Sequence, residues 1–240
     1  MRIARVVTLV LAAHGSVDPR SAAVTHAVAG RIRRLRPWLG VRPAFLERTD
    51  PSLRDVLADL NGDAVVVPFL LADAFHARVD IPSMIEDAGV SVEQAEVLGE
   101  DPALLSVMRQ RLAETGVSPE HDGLGVIVVA VGSSSAAANA RTATVARALS
   151  TGTRWAGAQV AFATGPHPGV ADAAELLRAD GADRMVIAPW FLAHGLITDR
   201  VAADAAAQGI SMAEPLGSHN LVAATVLDRF DAMVPARAAA

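Results

Sequence analysis

The chain carries one plan twice, and that duplication limits its possible folds more than any other feature. Ala12-Ala13-His14-Gly15-Ser16 lies over Val129-Ala130-Val131-Gly132-Ser133 at an offset of 117 positions. The same offset sets Phe45-Leu46-Glu47-Arg48-Thr49-Asp50-Pro51 over Phe162-Ala163-Thr164-Gly165-Pro166-His167-Pro168. Further on, Glu96-Val97-Leu98-Gly99 matches Glu214-Pro215-Leu216-Gly217 at an offset of 118. A tandem repeat of this length means two copies of one architecture. It also supplies an internal control. His14, Glu47 and His76 fall opposite Val131, Thr164 and roughly Ile197. What both copies keep is scaffold, and what one copy keeps alone is a candidate for chemistry.

Each half alternates short apolar runs with longer amphipathic ones. The expected strands are Val6 to Ala12, Val41 to Leu46, Ala64 to Leu70 and Val92 to Val97, then Val126 to Val131, Gln159 to Ala163, Arg184 to Pro189 and Ile210 to Glu214. The first and third of the opening half are continuous and rich in Val and Leu, as strands buried on both faces are. Glu93, Gln94 and Glu96 interrupt the fourth, which suits a sheet edge. The expected helices are Arg20 to Arg36, Pro51 to Leu60, Ile81 to Ala88 and Pro102 to Glu114, then Ala136 to Leu149, Gly169 to Ala179, Thr198 to Gln208 and Leu221 to Met233. Asp50-Pro51 and Asp101-Pro102 pair a capping Asp with a Pro at the first helical position, and Asp80 is placed to cap the helix at Ile81.

This alternation predicts an α/β fold with parallel sheets. Two lobes are expected, 1–115 and 124–240, with the polar stretch 116–123 as linker and Pro235 to Ala240 as a fraying tail. In such sheets ligands bind beyond the carboxyl ends of the strands. His14, Glu47 and His76 all follow strands of the first half and are expected at one crevice, with the second lobe closing a ligand cleft over them.

Composition removes several function classes. A net charge of −5 argues against a nucleic-acid binder working through a general basic field. The absence of cysteine removes disulfides, Cys-ligated zinc and Cys-ligated iron–sulfur clusters, and makes a cytoplasmic setting the simpler reading. Arg2 and Arg5 before the apolar run Val6 to Ala13 mimic a short signal peptide. The matching run Val126 to Ala130 lies in mid-chain, where no signal peptide acts, so both are read as strands. No apolar run reaches the roughly 18 residues of a membrane span.

Imidazole suits divalent iron, cobalt, nickel or zinc, and neutral imidazole also accepts protons. His14 and His76 are therefore candidate metal ligands, with Glu47 as a third ligand or proton acceptor. The same residues have blander roles: a loop histidine packed on Phe75, an edge carboxylate paired with Arg48. Arg78 is a candidate carboxylate clamp, and Ser16, Ser133, Ser134 and His194 are candidate anchors for an anionic ligand. Asp73 is a candidate outer partner. His26, His121, His167 and His219 rank lower, on a helix, in the linker or on loops of the second half.

Taken in order, Leu11-Ala12-Ala13-His14-Gly15-Ser16, Phe45-Leu46-Glu47, Asp50-Pro51-Ser52 and His76-Ala77-Arg78-Val79-Asp80-Ile81-Pro82 resemble the sirohydrochlorin chelatases, the class II chelatases of CbiX and SirB type. The resemblance continues through Pro189-Trp190-Phe191-Leu192 and Asp199-Arg200-Val201. It implies a chelatase-like fold of two tandem flavodoxin-like lobes. It also implies insertion of Fe(II) or Co(II) into sirohydrochlorin, a step of sirohaem or cobalamin synthesis. The histidines matching His14 and His76 carry the metal chemistry in that family. The metal would be substrate, with no permanently bound cofactor, and a monomer of two fused halves is expected. Ala74 stands where relatives often have Gly, and the chain has no Cys-rich or His-rich tail.

Two other classes remain. A carrier of tetrapyrrole or metal would share these residues and differ only in turnover. A histidine phosphatase also places His after its first strand, but normally as Arg-His-Gly, whereas Ala13 precedes His14 here.

Overall fold

A computed structural model of the chain describes residues 7–234. The start of the first expected strand, Val6, and the tail from Pro235 lie outside them. The described chain forms eight strands and eight α-helices: β1 (Thr8–Ala13), α1 (Pro19–Leu35), β2 (Gly40–Phe45), α2 (Leu53–Ala58), β3 (Ala64–Phe69), α3 (Ile81–Ala88), β4 (Glu93–Gln94), α4 (Pro102–Glu114), β5 (Leu124–Ala130), α5 (Ala136–Ser150), β6 (Gly157–Phe162), α6 (Val170–Ala179), β7 (Arg184–Pro189), α7 (Leu196–Ala207), β8 (Ser211–Met212) and α8 (Asn220–Met233). One π-helical turn, His76–Asp80, leads into α3.

Two parallel sheets result, ordered β2-β1-β3-β4 and β6-β5-β7-β8. Strands β1, β3 and β5 are buried at nearly every position, which explains their unbroken apolar sequences. The edge strands β4 and β8 are two residues each, shorter than expected, because charged and polar residues limit their burial.

Alternation along the strands gives each sheet two apolar faces. Val10, Ala12, Ala44 and Val66 pack with Leu53, Val56 and Leu57 of α2 and Ile81 of α3. Ile127, Val129, Ala161 and Ile187 pack with Ala173, Ala174 and Leu177 of α6 and Val201 and Ala205 of α7. The opposite faces carry α1 with α8 on the first sheet and α5 with α4 on the second.

The last helix of each half therefore belongs to the other half's sheet. One compact unit runs to Gly99 and resumes at Ser218, and the other is Glu100–Gly217. This differs from the expected division at 116–123. That polar stretch is held within the second unit, where Trp155 Nε1 donates to Ser118 O at 2.9 Å and Arg154 pairs with Asp122. The chain changes unit at the Glu-x-Leu-Gly repeats, where Gly99 and Gly217 take φ of 61° and 65°. Those left-handed values are open to glycine at little cost.

The exchanged helices are held by equivalent contacts. Arg229 of α8 donates to the carbonyls of Val97 and Leu98, both at 2.9 Å. Its counterpart Arg111 of α4 donates to those of Pro215 and Leu216, at 3.1 and 3.4 Å. Arg36 also pairs with Asp231, which raises the guanidinium pKa further.

Capping departs from expectation at two places. Asp101 caps α4, accepting from Ala103 N at 2.8 Å. At α2 the cap is Ser52, which accepts from Asp55 N, and not Asp50. Asp80 has helical backbone angles and makes no capping bond to α3.

Candidate functional site

Three loops meet at the carboxyl edge of the first sheet. The first follows β1. Gly15 has φ of 91°, and a Cβ there would lie 1.8 Å from the carbonyl oxygen of Glu47. Only glycine allows this approach, which brings His14 beside Glu47. Glu47 N donates to His14 O at 3.0 Å, and Ser16 is bonded at both N and O to the hydroxyl of Thr49.

His14 Nδ1 lies 2.9 Å from Gly15 O and 3.6 Å from Glu47 Oε1. A carbonyl oxygen only accepts, so Nδ1 is the donor, and in the neutral ring the lone pair then lies on Nε2. Glu47 is within Coulombic reach of that ring but beyond a good hydrogen bond. Its Oε1 also accepts from Arg48 Nε at 3.2 Å.

The second histidine comes from the π-turn after β3. Ring centroids of His14 and His76 are 4.4 Å apart, crossing at 88°. His76 Nδ1 lies 2.6 Å from Asp80 Oδ2. π-Turns inside helices recur at functional sites, and this one is braced by Gln94, whose Nε2 donates to Ala77 O at 2.7 Å. His14, Glu47 and His76 remain 46%, 45% and 40% exposed. Val17, Phe75 and Val79, neighbours of the two histidines in sequence, are also exposed. The edge thus offers two imidazoles, a carboxylate and bare apolar surface.

Among the described residues no cluster of three or more His, Cys, Asp or Glu is arranged to enclose a metal ion. Two imidazoles alone would leave most coordination positions of an ion open.

The remaining expected residues are placed as follows. Arg78 is exposed and committed to Asp73, with Nε 2.9 Å from Oδ1, and this pairing raises its pKa further. The Asp73 partnership matches the expected outer role, but it occupies the fork expected for a ligand. Ser16 uses its N–H on Thr49. Ser133 is clamped by Asn139 in the same manner, at 2.9 Å through N and 2.6 Å through O. Ser133 and Ser134 line a pocket of about 570 Å³ in the second unit, with Asn139, Thr164 and Pro166. His194 Nε2 lies 2.7 Å from Glu214 Oε2. His121 and His219 have local duties, accepting from Ser118 N and Leu221 N. His26 is exposed, with its ring 5.8 Å from Phe45.

Asp80 is the residue sequence reading missed. It was expected as a cap, and the His-x-x-x-Asp spacing in a helical stretch was the available signal.

Both halves of the chain are similar to known proteins. The CbiX family model matches residues 8–115 and again 125–233. A sirohydrochlorin cobaltochelatase of Priestia megaterium is 28% identical over 172 residues, covering 67% of this chain and 56% of that protein. A sirohydrochlorin ferrochelatase of the same organism is 25% identical over 190 residues, covering 73% of this chain and 71% of that one. The chain thus spans little more than half the length of the first of these relatives. SirB from Bacillus subtilis with Fe3+ superposes with a TM-score of 0.75 at 21% identity, covering 94% of each chain, a likeness of fold.

Proposed function

The chain belongs to the CbiX family, and we propose that it inserts divalent iron or cobalt into sirohydrochlorin. The observation that carries this reading is the meeting of His14 and His76, with ring centroids 4.4 Å apart at an exposed sheet edge. Two neutral imidazoles bind a divalent ion and leave coordination positions open. Pyrrole nitrogens would replace first the waters and then the two imidazoles, one at a time, which completes insertion and frees the histidines.

Two pyrrole N–H protons must leave as the metal enters. Glu47, about half exposed and 3.6 Å from His14, is the proposed first acceptor. The apolar side chains of Val17, Phe75 and Val79 suit the face of a macrocycle. Its carboxylates call for donors, and Ser134 on the pocket rim of the second unit is the proposed anchor there. Ser16, Ser133 and Arg78 already hold intramolecular bonds, so their contribution requires an exchange of partners. His194 would do the same against Glu214.

The proposed setting is a cytoplasmic monomer. No helix among the described residues is long and apolar enough to cross a membrane.

Purified protein incubated with sirohydrochlorin and Co(II) or Fe(II) tests the proposal, with insertion followed by absorbance. Many equivalents of metallated product per chain are expected. One equivalent would mean a carrier, and none would remove the reading.

A further inference from the structure

We infer that Asp80 is a positioning residue for His76: it holds the imidazole as the Nδ1–H tautomer and leaves Nε2 as its only lone pair. The geometry begins with the π-turn. Ile81 N–H donates to His76 O, five residues back, so helical backbone runs unbroken from Phe75 into α3. Helical side chains lean toward the N-terminus. Asp80 therefore reaches back along the turn to His76 and does not serve the amides ahead of it.

The 2.6 Å separation of His76 Nδ1 and Asp80 Oδ2 is short even for a charge-assisted hydrogen bond. An ionised carboxylate only accepts, so the proton belongs on Nδ1. The nearby cation does not compete, because Arg78 is paired with Asp73. His14 reaches the same state through the Gly15 carbonyl. Both rings then offer Nε2.

The repeat adds an independent argument. Ala95 N bonds to Val66 O, and its counterpart Ala213 N bonds to Ile187 O. This register sets the third strands 121 positions apart. His76 then falls opposite Ile197, and past the extra residue of the π-turn the core residue Ile81 falls opposite Val201 and Asp80 opposite Arg200. The second copy has lost the histidine and the aspartate together, while keeping the helix that follows. An Asp kept for the helix would not depend on the histidine.

The inference rests on the reading of His76 as a metal contact, but the first arm of its test does not. In 15N-labelled, metal-free protein, at a pH where imidazole is neutral, long-range proton–nitrogen correlations report which ring nitrogen of His76 carries hydrogen. Nδ1 is expected, and Nε2–H in the wild type would overturn the inference. Asp80→Ala is expected to release the tautomer and weaken Co(II) binding about 10- to 100-fold, as loss of an outer partner does. Asp80→Ser retains a residue able to cap α3 but too short to reach His76, and should match Asp80→Ala. Wild-type Co(II) affinity in either variant would sink the idea. Failure of wild-type protein to metallate sirohydrochlorin would instead sink the proposed function and leave the tautomer result standing.

Discussion

The carboxyl edges of the two sheets are built alike and equipped differently. At the first, Leu46 N and Glu47 N bond to the carbonyls of Ala13 and His14; at the second, Ala163 N and Thr164 N bond to those of Ala130 and Val131. Gly132 has φ of 94°, and its Cβ would lie 2.1 Å from Gly165 O, mirroring Gly15 against Glu47. On this shared frame one edge carries His14, Glu47, His76 and Asp80. The other carries Val131, Thr164 and Ile197 in place of the first three, beside an open pocket. The frame holds its shape without the polar set, so stability does not explain that set.

The largest effect should come from removing α8. Each sheet is covered on both faces only with a helix supplied by the other repeat, so a chain ending at Gly217 should lose the folded first unit. Amide dispersion and protease resistance would report this. A histidine-bearing sheet that folds without α8 would break the equivalence of the two units.

Next come the histidines. His14→Ala and His76→Ala should each slow metal insertion on the order of 100-fold or more. His194→Ala should do much less, because its edge lacks the paired imidazoles. Equal losses at all three would place chemistry at both edges.

The glycines test the frame itself. Gly15→Ala and Gly132→Ala should both destabilise, on the order of 1–3 kcal/mol from backbone conformation alone, as measured by denaturant unfolding. A neutral Gly132→Ala would show that the frame is not shared.

The smallest effect concerns how the second helices begin. α2 is capped by Ser52, whereas at α6 Asp172 reaches back to Gly169 N at 2.8 Å and meets His167 at 2.8 Å. Those bonds, that to His167 first, lower the Asp172 pKa. A depressed carboxyl pKa stabilises above its unfolded value and loses that contribution as pH falls through the folded value. Asp172→Ala should therefore cost a little stability near neutrality and nothing in strong acid, by thermal melts across pH.

Much of this was legible in the sequence. Continuous Val-rich runs marked β1, β3 and β5, and the expected bounds of α3, α4 and β7 coincide with the observed ones. His14, Glu47 and His76 stood out because the second copy showed what the scaffold does without, and the structure brings the other two close to His14. Helix exchange was not legible, since an apolar stripe says that a helix is covered and not by which sheet. Nor was the π-turn, because one extra residue per turn leaves little trace in a five-residue pattern. Asp80 was hidden by its position, where an acidic residue before Ile81-Pro82 reads as a cap.

The exchange of helices has a consequence for the order of synthesis. The strands bearing His14 and His76 leave the ribosome early, yet the helix that covers β3 is made after the entire second unit. Until residues 220–233 emerge, one apolar face of the first sheet has only α1 upon it. The second unit has no such wait, because α4 is made before any strand of the sheet it covers. The half that closes last is the half proposed to bind metal, so a prematurely ended chain should not carry a finished metal-binding edge.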